Sequence, residues 1–141
     1  VINISSVFGL LGMPGQAAYC AAKFAVRGFT EALSQEMALA GHPVAVTCVH
    51  PGGIKTSIAR NMTAADGLDK QALARDFDTK LAKLTPEQAA RIILDGVRKR
   101  KLRVLVGSDA KAIDAVIRVA GTGFQRFLPK LRARANRPSS T

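Results

Sequence analysis

The chain has 141 residues, an apolar fraction of 48% and a formal net charge of +11. This apolar content is normal for a globular core and too high for a disordered chain, and no run approaches the roughly 20 apolar residues of a membrane-spanning helix. The first residues lack the charged region and cleavage pattern of a signal peptide. Two cysteines, Cys20 and Cys48, are too few for a disulfide framework and are typical of a reducing, cytoplasmic compartment.

The positive charge is concentrated near the C-terminus. Residues 1–97 carry nine basic and eight acidic side chains, whereas residues 98–141 carry twelve and two. Such a segment is either a solvated basic face or a contact with acidic lipid headgroups, nucleic acid or an acidic partner. Nucleic acid is disfavoured because the chain has no Trp and one Tyr, and because it shows no nucleic-acid-binding motif.

The first third of the chain has the pattern of a strand, a helix and a second strand. Residues 1–6 are apolar and β-branched, which is typical of a strand buried on both faces. After a Gly- and Pro-rich loop over 7–16, residues 17–39 predict an Ala-rich helix. Residues 44–49 predict the second strand. Such a unit places two parallel strands side by side, joined by a right-handed crossover.

The middle of the chain predicts a loop, a helix and a third strand. Residues 54–84 are mixed and polar, and we expect a mobile segment over a site. Thr85 as N-cap, Pro86 at the first position and Gln88 form a capping box that starts a helix. Residues 102–106 predict a short strand. The fold class is therefore α/β, with helices packed on a parallel sheet.

A basic amphipathic extension over 108–141 is predicted to follow the domain at 1–107. Ser108 or Asp109 caps its first helix, which a Gly-Thr-Gly sequence at 121–123 interrupts. A second apolar stripe among basic residues consists of Phe124, Phe127, Leu128 and Leu131. This stripe suits an anionic membrane surface, a cap on a substrate pocket or docking on another subunit. Disorder is predicted from about residue 136.

Three strands are too few for a well-covered parallel sheet, and the first strand would leave an open edge. The chain also begins with Val1 rather than Met. Both features predict that the sequence is the C-terminal part of a longer polypeptide.

Three side chains of complementary chemistry are predicted to meet beyond the strand ends, together with a Pro-Gly turn at 51–52. Ser6 closes the first strand, Tyr19 follows 13 residues later, and Lys23 lies one helical turn beyond Tyr19. A phenol has an ordinary pKa of about 10, which a neighbouring ammonium lowers. Tyr19 is therefore a candidate general acid/base for carbonyl/alcohol redox chemistry, with Ser6 holding the substrate oxygen. A nicotinamide cofactor would supply the hydride.

These residues resemble the motifs of the short-chain dehydrogenase/reductase family of NAD(P)-dependent oxidoreductases. The resemblance rests on Ser6, on Tyr19-Cys20-Ala21-Ala22-Lys23 (Y-x-x-x-K) and on Pro51-Gly52-Gly53-Ile54-Lys55-Thr56. It implies a Rossmann-like, doubly wound α/β fold, of which 1–107 is the C-terminal, catalytic half. The family's glycine-rich cofactor turn, its cofactor-selecting residue and its catalytic Asn lie upstream, so the isolated chain is expected to show negligible cofactor affinity and no turnover.

The resemblance also implies a role for each matched position. Ser6 polarises the substrate carbonyl, Tyr19 is the general acid/base, and Lys23 lowers the pKa of Tyr19 and binds the nicotinamide ribose. The residues implied to border the nicotinamide of NAD or NADP are Pro51, Gly52, Ile54 and Thr56. Gly9 and Met13 are implied to line the substrate pocket.

Several alternatives stay open on partners and function. The modestly apolar segment 54–84 gives only a weak hint of a nonpolar alcohol or carbonyl substrate. Family members associate through the Ala-rich helix, which predicts a homodimer or tetramer unless that face packs on an upstream half. Alternatively, the chain is a catalytically incompetent fragment whose basic tail binds partners or a membrane surface peripherally.

Some of the polar residues also have ordinary structural explanations. Ser5 is interpreted as a strand-end hydroxyl, and Thr56 as cofactor-binding or simply a turn residue. His50 is interpreted as a structural residue that makes no metal site with the distant His42, and Cys20 as a buried helix thiol.

Overall fold

The computed structural model describes residues 1–56 and 83–126. Most of the predicted mobile segment 54–84 lies outside the described residues, which include only its two ends, 54–56 and 83–84. The apolar stripe positions 127, 128 and 131 and the disorder predicted from about residue 136 also lie outside them. The elements, in chain order, are β1 (Ile2–Ile4), α1 (Ala17–Leu39), β2 (Thr47–Pro51), α2 (Pro86–Arg98), β3 (Arg103–Val106) and α3 (Ser108–Ala120). Short 3₁₀ turns follow β1 at Val7–Gly9 and α3 at Gly121–Gly123.

The three strands form one parallel sheet in the order β1-β2-β3. Ile4 lies opposite Val49 in β2, and Val49 lies opposite Val104 in β3. The predicted α/β class with parallel strands is therefore confirmed. Because all three strands run the same way, their carboxyl ends share one edge of the sheet.

Helices cover both faces of the sheet. On one face, Val49, Val104 and Val106 form a buried cluster with Ala89 of α2. Neighbouring residues of a strand point to opposite faces, so Arg103 lies on the other face, where it pairs with Glu31 of α1 at 2.9 Å and with Asp114 of α3 at 3.3 Å. The layers are therefore α1 and α3, the sheet, and α2, as in a doubly wound fold.

The first strand is shorter and more exposed than the sequence predicts. The paired residues are Ile2–Ile4 rather than all of 1–6, and Ile2 and Ile4 are 43% and 47% exposed. Between them, Asn3 points to α1 and donates a hydrogen bond to Thr30 Oγ1 at 3.1 Å. The prediction of burial on both faces is wrong because α2 packs over β2 and β3, whose side chains share the face of Ile2 and Ile4.

The second strand begins and ends later than predicted. It covers Thr47–Pro51 instead of 44–49, since its hydrogen-bonded register with β3 extends to the pair of Pro51 and Val106. Pro51 is tolerated because it is the last residue of the strand, where its missing N–H does not interrupt a ladder. The shift carries the chain directly from the strand into the Gly-rich turn.

The sequence predicted the starts of α1 and α2 correctly, and α2 is the one of these two that a side chain caps. The capping box of α2 is present: Gln88 N–H donates to Thr85 Oγ1 at 3.3 Å, and Thr85 N–H donates to Gln88 Oε1 at 2.9 Å. The prediction for α3 is wrong, because its N-cap is Gly107 and neither Ser108 nor Asp109 caps it. Asp109 turns instead to the loop after β2. Among the described helices, none is both long and apolar enough to cross a membrane.

Candidate active site

Ser6 stands at the point where β1 becomes a tight turn. It caps the 3₁₀ turn Val7–Gly9, and its Oγ accepts a hydrogen bond from Phe8 N–H at 3.2 Å. The residue is 8% exposed. The turn therefore fixes the Ser6 hydroxyl at the carboxyl edge of the sheet.

Tyr19 and Lys23 reach the same edge from the first turns of α1. The Tyr19 ring meets the Phe8 ring edge-on, with the centroids 6.1 Å apart, and the residue is 38% exposed. Lys23 Nζ lies 5.6 Å from the Tyr19 ring centroid and donates to the carbonyl oxygen of Ile4 at 3.1 Å. The ammonium is thus held beside the phenol ring by the last residue of β1.

Phe8 connects the three predicted catalytic residues. Its amide binds the Ser6 hydroxyl, and its ring contacts Tyr19. Lys23 joins this group because its ammonium lies beside the Tyr19 ring and donates to the carbonyl oxygen of Ile4. The structure therefore brings Ser6, Tyr19 and Lys23 together around one turn, and Tyr19 stays accessible.

The two neighbouring serines have different partners. The buried Ser5 Oγ donates to the carbonyl of Lys23 at 2.8 Å, on the inner side of α1. The Ser6 hydroxyl instead accepts from the turn. Ser5 therefore serves to attach α1 to β1, which agrees with its interpretation as a structural hydroxyl.

The loop after β2 rises from the same edge of the sheet as Ser6. Gly52 N–H donates to the carbonyl of Val106 at 2.9 Å, which ties the loop to β3. Further on, Ile54 forms a bridge with Leu84, and Lys55 N–H donates to the Leu84 carbonyl at 2.9 Å. The two ends of the predicted mobile segment 54–84 are therefore joined to each other at the sheet edge.

The positions implied to line the substrate pocket have separate surroundings. Gly9 is buried and packs against Ser5 and the Lys23 backbone. Met13 is half-buried, and its N–H donates to the Cys20 thiol at 3.4 Å. Gly9 thus has a packing role toward α1, and its contact with substrate stays a prediction, as does that of Met13.

His50 forms a buried hydrogen bond to Ser6, the residue that caps the turn after β1. Its side chain is fully buried, and its Nδ1–H donates to the carbonyl of Ser6 at 2.9 Å. Within the described residues, Nε2 has no hydrogen-bond partner. Burial lowers the pKa of His50, against the hydrogen bond to Ser6, which raises it. His50 is therefore a neutral structural residue that links β2 to the Ser6 turn.

Acidification should destabilise the protein through His50. The unfolded chain takes up the proton near the ordinary pKa of about 6.5, whereas the fold keeps the imidazole neutral to lower pH. Above about pH 6.5 the imidazole is neutral in both states, and the stability that comes from keeping His50 neutral is fully present. Below that pH the free energy of unfolding falls by up to about 1.4 kcal/mol per pH unit until the pKa of His50 in the folded protein is reached. Urea unfolding of wild type and His50→Asn at pH 7.5 and 5.5 measures this loss of stability. The Asn side chain keeps a hydrogen-bond donor but does not titrate.

The matched control for this pH effect is His42→Asn, since His42 is exposed. The gap in unfolding free energy between wild type and His50→Asn should change between the two pH values, whereas the gap for His42→Asn should stay constant. A constant gap for His50→Asn would contradict the prediction.

Sequence reasoning missed two residues of this region. Phe8 carried no signal beyond being an aromatic residue two positions after Ser6. Asp109 was considered only as a helix cap, although its Oδ2 accepts from Gly53 N–H at 2.8 Å across 56 positions of sequence. The available signal was an acidic residue in the first turn of the helix that follows the next strand.

Residues 1–67 match the family model described as short chain dehydrogenase. A curated relative, "Putative oxidoreductase SadH" of Mycobacterium tuberculosis (strain ATCC 25618 / H37Rv), is 60% identical over 128 residues. The match covers 91% of this chain and 46% of that protein. The chain therefore spans a little under half the length of this relative.

Solved structures show the same fold. A short chain dehydrogenase/reductase from Burkholderia phymatum, in complex with NAD, aligns with a TM-score of 0.72 at 22% identity, over 99% of this chain and 51% of that one. A short chain dehydrogenase from Burkholderia cenocepacia J2315, in complex with NADP, aligns with a TM-score of 0.69 at 24% identity, over 90% of this chain and 46% of that one. With the sequence match and the motif residues gathered around the Ser6 turn, the chain belongs to the short-chain dehydrogenase/reductase family.

Proposed function

We propose that the whole protein containing this chain is an NAD(P)-dependent oxidoreductase that interconverts a secondary alcohol and a carbonyl. The observation that carries the proposal is the grouping of Ser6, Tyr19 and Lys23 around one turn at the carboxyl end of β1. The related SadH is called an oxidoreductase, and the two solved structures hold NAD and NADP. These findings favour NAD(P) as the cofactor.

Each of the three side chains has a distinct part in the proposed reaction. The Ser6 hydroxyl donates a hydrogen bond to the substrate oxygen and fixes its position. Tyr19 gives a proton to that oxygen during carbonyl reduction and takes it back during alcohol oxidation. Lys23 places a positive charge beside the phenol ring, which stabilises the oxygen after its proton has left.

The residues after β2 fit the nicotinamide end of a cofactor. Gly53 and Lys55 direct backbone groups to Leu84, so the N–H and C=O of Ile54 point to the other side of the segment. A paired donor and acceptor of this kind matches a carboxamide. Lys23 has three N–H donors, of which the bond to Ile4 uses one, so the same group can also donate to a ribose hydroxyl. The bound nicotinamide supplies or accepts the hydride.

Deuterium transfer tests this function directly. The purified whole protein is incubated with a panel of polar and nonpolar ketones and with NADH or NADPH deuterated at the transferable position. We expect deuterium at the carbinol carbon of at least one product, with a preference for nonpolar ketones. Failure of the whole protein to bind either reduced cofactor would overturn the proposal.

The isolated 141-residue chain provides a matched control. It contains the proposed catalytic residues, but it spans under half of the related SadH. We expect the isolated chain to bind neither cofactor measurably and to show no turnover. Robust NAD(P)H oxidation by this piece alone would show that the glycine-rich turn expected upstream is dispensable.

We also propose that the whole protein forms a homodimer or tetramer through α1. The helix exposes two large rings, Phe24 at 41% and Phe29 at 63%, and large exposed apolar groups favour contacts with a partner. Light scattering after size exclusion of the whole protein measures its mass. A strictly monomeric protein would contradict the proposal and would favour packing of α1 within the subunit.

A further inference from the structure

A carboxylate outside the proposed catalytic group holds the loop after β2. Asp109 lies in the first turn of α3, and its Oδ2 accepts a hydrogen bond from Gly53 N–H at 2.8 Å. The carboxylate fills the space beside two further glycines, because a Cβ on Gly52 or on Gly107 would collide with it. Gly107 also has a φ of +108°, which other residues rarely adopt. Two glycines thus leave space for this acidic side chain, and a third binds it through its N–H.

The contact combines charge with position. A backbone N–H bound to an ionised carboxylate makes a stronger hydrogen bond than a neutral pair, and an acidic side chain is favoured in the first turn of a helix. Gly53 is buried and Asp109 is half-buried, which limits competition from water. The bond from Gly52 N–H to the Val106 carbonyl adds a second attachment at 2.9 Å. The start of the loop is therefore attached to both β3 and α3.

We propose that Asp109 is a positioning residue that fixes the Gly52–Ile54 segment and thereby sets the affinity of the protein for the nicotinamide half of its cofactor. The inference rests on the proposed function. Ile54 directly follows the residue that Asp109 binds, so its outward-facing N–H and C=O move with Gly53. Loss of the carboxylate removes the attachment of Gly53 to α3 and leaves the segment held to β3 by Gly52 N–H.

The dissociation constants of two ligands distinguish a positioning role of Asp109 from general damage to the fold. NAD(H) contacts the whole cofactor site, whereas ADP-ribose lacks the nicotinamide. In the whole protein, Asp109→Ala should raise the Kd for NAD(H) by about tenfold, the effect of losing one charged hydrogen bond, and leave the Kd for ADP-ribose nearly unchanged. Asp109→Asn keeps an acceptor oxygen and should restore most of the affinity. Asp114→Ala is the control, because Asp114 lies on the same helix but pairs with Arg103 and Arg118.

A second readout needs no cofactor. Hydrogen exchange at the Gly53 amide of the free protein should accelerate in Asp109→Ala relative to exchange at Val49 in β2. Equal weakening of NAD(H) and ADP-ribose, or unchanged affinity for both, would overturn the inference while the proposed function stands. Unchanged exchange at Gly53 would also overturn it. A wild type that binds ADP-ribose but neither NAD(H) nor NADP(H) would overturn the proposed function and this inference together.

Discussion

Replacing Tyr19 by phenylalanine in the whole protein should lower kcat/KM by about 10²- to 10⁴-fold, the usual contribution of a general acid/base. The substitution removes only the phenolic hydroxyl. The edge-on contact of the ring with Phe8 and its proximity to the Lys23 ammonium both persist in the variant. The unfolding midpoint and the Kd for NAD(P)H should therefore stay close to wild type, so that the loss falls on kcat. Steady-state kinetics and cofactor titration measure the two effects.

Phe8→Leu is the matched control for this variant. It removes the ring that touches Tyr19 but keeps the hydroxyl of Tyr19 and the Phe8 backbone N–H that binds Ser6. We expect it to lower activity less than Tyr19→Phe does. Tyr19 is the one tyrosine of this chain, so no second phenol within these residues can replace it. Activity of Tyr19→Phe within about twofold of wild type would contradict the assignment of Tyr19 as the acid/base.

Local sequence signals predicted the elements whose ends depend on nearby residues. The bounds of α1 follow from its alanines and from the turn at Gly41, and the start of α2 follows from the capping box at Thr85. The strand limits depend on pairing between distant segments. β2 continues to Pro51 because β3 offers a partner at Val106, and no pattern within 44–51 encodes that register.

The candidate site also combines residues that local spacing predicts with contacts that depend on distant segments. Tyr19 and Lys23 lie on one helix, and Ser6 precedes Tyr19 by a short loop, so spacing alone could place these three residues near one another. The supporting contacts span long separations: His50 to Ser6 across 44 positions and Asp109 to Gly53 across 56. In a single sequence such residues are isolated polar positions. Their partners, the Ser6 carbonyl and the Gly53 N–H, can be identified only once the sheet has folded.

Gly9→Ala should damage stability and activity together. At Gly9 the turn after β1 lies close to α1: a Cβ at this position would overlap the Ser5 hydroxyl and lie 2.8 Å from the carbonyl oxygen of Lys23. The helix backbone cannot yield at this point without moving Lys23. We expect a loss of about 1–3 kcal/mol in the free energy of unfolding, as for other overpacked sites. Denaturant unfolding of the whole protein measures this loss.

Activity should fall further than stability alone explains, because the turn that Gly9 closes also carries Ser6 and Phe8. A wider gap between the turn and α1 separates Ser6 from Tyr19 and Lys23, and displacements of about 1 Å in a catalytic group can cost about 10²-fold in rate. Gly12→Ala is the matched control, since Gly12 is exposed and nothing lies within 4 Å of the place its Cβ would occupy. Equal unfolding energies and rates for the two variants would show that the turn and α1 are not tightly joined at Gly9.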